Sequence, residues 1–186
     1  MASAPAPWFP IRTARLLLRE FEARDRDDVH EYASDPETVR YMDWGPNTPE
    51  VTDERLRALL AEQRKWPRPE VNLAVEASDI RKVIGSVRIR LGPQRSADLG
   101  YVLGRRWWRM GYGYEATSAL LQTAFARLDV HRAWATCDVR NMASLRLLEK
   151  LGMRCEGTLR RDRLVRDGWR DTHLYAVLED EWAALN

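Results

Sequence analysis

The chain of 186 residues predicts a single α/β domain, a mixed sheet with helices on both sides. Three observations carry this expectation. The stretch DLGYVLGRRWWRMGYGYEATSALLQTAFARL, residues 98–128, reads as a short apolar strand, a glycine-bearing turn and an amphipathic helix. Residues 72–76 and 82–91 form two further strand-like runs, and in the second Val83, Gly85, Val87 and Ile89 alternate with Ile84, Ser86, Arg88 and Arg90. The length suffices for one sizeable core, and neither a long linker nor an internal repeat marks a second domain.

Taken in order, residues 15–21 predict the first strand, and Asp25 caps a helix that stops at Asp35-Pro36. Residues 39–44 form a short ordered link to the turn Gly45-Pro46-Asn47. Thr48-Pro49 then starts a helix running to about Lys65, a cap followed by proline at the first helical position. After the two strands, Gly92-Pro93-Gln94 turns the chain into a third at 97–103. The helix after Gly113 presents Ala116, Ala119, Leu120, Thr123, Ala124 and Leu128 on one face. A strand at 132–139 precedes a short helix at 141–151, ended by Gly152. Two last strands, 154–164 and 169–179, meet at the turn Arg166-Asp167-Gly168.

Hydrophobic residues at 45% and charged residues at 31% describe a soluble globular protein. A formal net charge of +2 is too mild to point to a specific nucleic-acid partner. No apolar run approaches the ~20 residues that span a bilayer, so no membrane role is expected. The start, MASAPAPWFP, lacks the charged and apolar regions of a secretory signal and reads as a flexible lead-in over residues 1–10, before one domain at 11–182. Cys137 and Cys155 lack metal-ligand spacing and are expected as two buried thiols in a reducing cytoplasm. His30, His131 and His173 lie far apart, so no metal is expected.

The chemistry gathers at two places. At the turn before the long helix, the first amides have no intrahelical partner and the dipole is positive, which suits an anion. Gly111 and Gly113 let a phosphate oxygen approach the backbone. This is neither a dinucleotide fingerprint, which would need a glycine at Ala116, nor a P-loop, since no Gly-Lys-Ser/Thr follows. At the second place, Asn141 is a helix N-cap with Leu145 and Leu148 as core.

Both places resemble the GNAT superfamily of acyl-CoA N-acyltransferases. Gly100, Tyr101, Leu103, Trp108, Gly111, Tyr112, Glu115 and Ala116 match the ribosomal-protein N-terminal acetyltransferase (RimJ/RimL) branch without a gap. Trp108 stands where other branches carry Gln or Arg, and Arg109-Met110 replaces Gly-Lys or Gly-Arg. Asn141, Ser144, Glu149, Lys150 and Gly152 meet the branch's second pattern, with Met153 in place of Phe and Glu156-Gly157 after it. The resemblance covers residues 12–182 and implies a single-domain, mostly antiparallel mixed sheet.

It also implies acetyl-CoA as co-substrate, held by Tyr101, Val102, Leu103, Arg109, Met110, Gly111, Tyr112, Gly113, Tyr114, Asn141 and Ser144. In similar enzymes the Asn side chain bonds the pantetheine arm and the Ser hydroxyl protonates the leaving thiolate. Arg105 and Arg106 flank the turn beside Arg109 as further phosphate contacts. Acyl transfer from a thioester needs an aligned amine, an oxyanion donor and a base, but no covalent enzyme intermediate. Asp98 ranks first as that base, ahead of Asp162 and Glu156, while Cys137 lacks the partner histidine of a nucleophile. Tyr41, Asp43 and Trp44 fall at the acceptor-binding loop, with Asp162 facing it. The implied reaction is acetylation of a primary amine, foremost a protein or peptide N-terminal α-amine. The rivals are a small amine such as an aminoglycoside or polyamine, and a silent acyl-CoA sensor. The resemblance leaves the assembly open, with a homodimer the commonest form.

Overall fold

The structure is a computed structural model that describes residues 8–166 and 168–185. Among them, the strands are β1 (Ile11–Arg12), β2 (Leu16–Arg19), β3 (Glu70–Ala77), β4 (Lys82–Leu91), β5 (Ser96–Leu103), β6 (Arg132–Asp138), β7 (Arg154–Val165) and β8 (Gly168–Leu178). The helices are α1 (Arg26–Ala33), α2 (Pro49–Gln63), α3 (Tyr112–Arg127), α4 (Met142–Lys150) and α5 (Glu179–Leu185). All strands join one sheet in the order β1-β2-β3-β4-β5-β6-β8-β7. Every pairing is antiparallel except β5 with β6.

Each face has its own core, which places the helices. Ala97 and Leu99 of β5 bury against Ala116, Leu120 and Leu121 of α3, Leu145 and Leu148 of α4, and Trp182 of α5. On the opposite face Ala74, Val83 and Val102 pack with Val29 and Tyr32 of α1 and Leu56 of α2. The second face is fastened by a buried guanidinium. Arg19 donates to both oxygens of Asp25 at 2.8 Å and to Glu76 at 2.7 Å. These partners, Asp25 foremost, raise its pKa above the ordinary guanidinium value. Removing one partner of such a buried group costs ~3–5 kcal/mol.

The site is opened by a failure of pairing. The β5–β6 ladder covers only residues 96–98 with 132–134, after which 99–103 and 135–138 form no ladder with each other. The sequence reading foresaw neither β1 nor α5. The last strand was expected to end at about Glu179 with no element after it, whereas Glu179, Asp180 and Glu181 begin a helix whose Trp182 is buried. Of the lead-in expected over 1–10, the described residues 8 and 9 pack against the fold. Trp8 is buried, and Phe9 stands edge-on to Trp8 at 5.2 Å and to Trp66 at 5.7 Å. Residues 1–7, and Asp167 at the predicted hairpin turn, lie outside the described residues. Cys137 and Cys155 are both free, but only Cys137 is buried. Among the described residues no helix is long and apolar enough to cross a membrane.

Candidate active site

The turn entering α3 is built for an anion. Gly111 sits at the helix boundary with φ of 82°, a left-handed conformation that costs glycine little, and no side chain caps the amides that follow. Arg15 and Glu115 hold this turn from below. Glu115 accepts from the Thr13 hydroxyl at 2.6 Å, the Arg15 amide at 2.8 Å and Arg15 Nε at 2.7 Å. Arg15 Nη1 donates to the Met110 carbonyl at 3.0 Å, and its guanidinium lies 4.3 Å from the centroid of the Tyr112 ring. Burial pushes the Glu115 carboxyl up, but Thr13 and Arg15 outweigh it and hold it below the ordinary value of 4.5. The Met110 carbonyl is thereby turned away from the anion side. Gly113 serves a different purpose from the expected phosphate approach. A Cβ there would meet Leu147 at 3.3 Å and Leu103 at 3.4 Å, so its absence lets α3 press against α4 and β5.

Two backbone amides of β5 are left without a partner in the β4–β5 ladder. Gly104 N donates to Ile84 O at 2.9 Å, directly opposite in the β4–β5 register. Alternation in an antiparallel pair then spends the amides of Val102 and Gly100 on β4 and points those of Tyr101 and Leu103 toward β6. There β6 has already diverged, so these two amides face the opening. Val102 therefore leaves the expected cofactor-binding set: its amide serves the ladder and its side chain the second core. The Trp108 indole donates to the Leu103 carbonyl at 2.7 Å and fixes the end of the strand against the turn.

Across the opening stands α4. The Asn141 side-chain oxygen accepts from Ser144 N at 3.2 Å, the N-cap bond, which leaves the amide NH2 to donate elsewhere. Ser144 Oγ lies 2.7 Å from the Tyr101 hydroxyl. Burial pushes the Cys137 thiol up to about 11, with Ser144 acting in the opposite direction. Cys137 was weighed only as a nucleophile and Tyr101 only for cofactor binding; the parallel β5–β6 offset that brings Tyr101 level with Cys137 is a tertiary fact.

The expected base does not fit. Asp98 Oδ2 accepts from Arg88 at 2.9 Å and Arg90 at 2.7 Å, and only 8% of the residue is exposed. With Arg88 also 3.4 Å from Glu70, Asp98 belongs to a closed ion network on the sheet. Glu156 is likewise taken, by a two-pronged pair with Arg132. Asp162 is freer. Its Oδ2 accepts from Thr172 at 2.9 Å, and Oδ1 has no partner among the described residues. Thr172 lies opposite Asp138, so Asp162 stands level with the approach to Asn141.

Residues 39–44 lie against the β7–β8 hairpin. Arg170 donates to the Tyr41 carbonyl at 2.5 Å, Arg166 to those of Trp44 at 2.9 Å and Val39 at 3.0 Å, and Arg163 to Asp43 at 3.3 Å. Arg163 Nε also lies 3.6 Å from Asp162, so Asp43 and Asp162 share one guanidinium. Of the arginines around the turn, Arg105 and Arg106 pair instead with Asp35 and Glu31 near α1. Arg109 has no partner among the described residues. The Tyr114 ring is covered by the Lys150 ammonium at 4.5 Å.

A parted sheet with free strand amides, beside an uncapped helix turn, defines a class of acyl-carrier-dependent transferases. The acetyltransferase (GNAT) domain model matches residues 15–154, and the chain belongs to that family. It is 31% identical over 173 residues to the uncharacterized N-acetyltransferase YnaD of Bacillus subtilis, covering 92% of this chain and 98% of that one. A 32% identity over 108 residues, 56% of this chain and 55% of the other, relates it to the [ribosomal protein uS5]-alanine N-acetyltransferase of Escherichia coli. The crystal structure of a GNAT-family acetyltransferase from Bacillus anthracis superposes with a TM-score of 0.80 at 30% identity, over 91% of this chain and 98% of that one. The protein is an acetyl-CoA-dependent N-acetyltransferase of GNAT fold.

Proposed function

We propose that the acceptor is the α-amine of a protein or peptide N-terminus, acetylated by direct attack in a ternary complex. The observation that carries the chemistry is the β5–β6 opening, toward which the amides of Tyr101 and Leu103 point and beside which Ser144 Oγ meets the Tyr101 hydroxyl. The uncapped turn of α3 and Arg109 receive the pyrophosphate, and the Asn141 amide meets the pantetheine arm. The thioester carbonyl then points at the strand amides, which stabilise the oxyanion as the amine adds. The C–S bond breaks with its electron pair on sulfur, and Ser144 donates a hydrogen bond to that thiolate. The proton shed by the nitrogen ends on the thiol, so the reaction consumes none.

Asp162 takes that proton first, through water, because its Oδ1 is unengaged and its Thr172 partner lies opposite Asp138, level with the approach to Asn141. Support for a polypeptide acceptor comes from Tyr41, Asp43 and Trp44 lying against the hairpin, and from the similarity to a [ribosomal protein uS5]-alanine N-acetyltransferase over about half its length. Thiol release should be measured over peptides with different first residues beside spermidine and an aminoglycoside. The expected result is turnover restricted to a subset of peptides. In the same assay Asp162→Asn should lower kcat by ~10²–10⁴-fold, the range for a lost general base. Preference for a small amine, or an Asp162→Asn rate within ~3-fold of the parent, far below that range, would reject the reading.

A further inference from the structure

We infer that the Tyr101 side chain is a positioning residue for departure of the thiolate, acting through Ser144. This deepens the proposed reaction and rests on it. Tyr101 belongs to β5 and Cys137 to β6, and the two strands have parted where these side chains sit. Both approach Ser144 on α4: its Oγ is 2.7 Å from the Tyr101 hydroxyl, and it tempers the rise that burial gives the Cys137 pKa. A thioester whose carbonyl meets the amide of Tyr101 or Leu103 must place its sulfur in the same opening, beside this serine.

The direction of the Tyr101–Ser144 bond decides what the serine can do. A hydroxyl has one proton and two acceptor positions. With Tyr101 donating to Ser144 Oγ, the serine proton is free to turn toward sulfur. With the reverse arrangement that proton is spent on the phenol. The tyrosine side chain packs, partly buried, against the apolar core, and desolvation there disfavours its phenolate and keeps the phenol a donor. Tyr101 therefore does not relay its own proton. It donates to the serine oxygen, and one donor polarising the next makes the serine proton a stronger partner for the thiolate. As the C–S pair collapses onto sulfur, Ser144 donates a hydrogen bond, and the proton lost by the amine nitrogen completes the thiol.

This geometry separates Tyr101 from a packing role, because a packing residue would not depend on the basicity of the leaving group. Tyr101→Phe keeps the ring and deletes only the hydroxyl. With acetyl-CoA, kcat should fall by ~10-fold, the equivalent of one net hydrogen bond, while Kd for acetyl-CoA stays within ~2-fold. Tyr101→Phe combined with Ser144→Ala should be no slower than Ser144→Ala alone, since the phenol acts only through the serine. With an acetyl thioester of an aryl thiol, whose thiolate needs less help, the Tyr101→Phe defect in kcat/KM should shrink toward the parent value.

A parent-like kcat in Tyr101→Phe overturns the inference, as does a double variant whose loss is the product of the two single losses. A defect equal for both leaving groups, with a lowered melting temperature, assigns Tyr101 to packing and overturns it too. Failure of the unsubstituted protein to release thiol with any amine would sink the proposed reaction and this inference together. The other outcomes touch Tyr101 alone.

Discussion

Cys137 is the most nucleophilic side chain type at the opening, yet its surroundings silence it. Burial lifts its thiol to about 11, so at neutral pH the thiolate is scarce. Cys155, by contrast, is exposed. Iodoacetamide at pH 7.5 should alkylate Cys155 and leave Cys137 unmodified until the protein unfolds, as peptide mass mapping would read out. Cys137→Ser should retain most of the turnover; abolition of activity would restore a covalent route. At this scale the sequence was legible where a residue acts through its own backbone or type. Gly111 and Asn141 stood out because left-handed backbone and helix caps favour those residues. Asp98 misled because its neighbours in space, Arg88 and Arg90, sit on another strand, and their pairing with it depends on the β4–β5 register.

The strand–turn–helix unit was also readable, since hydrophobic period and glycine position are local. What holds it was not. Glu115 lies within the matched pattern, but its partners Thr13 and Arg15 come from the first turn of the chain. The latch carries a pH signature. Glu115 titrates below its ordinary 4.5 in the fold, so its contribution is fully present above that value and is lost as pH falls through the lower, folded one. Glu115→Gln keeps the shape but not the charge. At pH 7 it should lose ~1–3 kcal/mol of stability and weaken acetyl-CoA binding, because the Met110 carbonyl is no longer steered away. The stability gap between parent and variant should close as the pH is lowered below 4.5. Denaturant titrations at pH 7 and in acid would measure it, and a gap that widened in acid would contradict the latch.

Across the whole molecule, function follows from one sheet serving two sides. The α3–α4 side carries the turn, Asn141 and Ser144, and the other side carries Asp162 and the loop 39–44. β7 is the outermost strand and almost wholly exposed, and the β6–β8 ladder stops at Thr172, so the tip of the hairpin leans on the loop it meets. Three arginines make that contact, each from the hairpin to a carbonyl or to Asp43. Arg166 reaches two carbonyls and lies farther from the opening in sequence register than Arg170, which makes it the cleaner probe. Arg166→Ala should leave the fold and the acetyl-CoA Kd unchanged, since neither the turn nor α4 is touched. It should raise KM for the acceptor by ~5–30-fold, the equivalent of one or two kcal/mol lost from fixing the loop. Titration calorimetry with acetyl-CoA and initial rates against peptide concentration separate the two constants. An unchanged acceptor KM would detach the loop from substrate binding, and a raised acetyl-CoA Kd would mean that the two sides of the sheet are not independent.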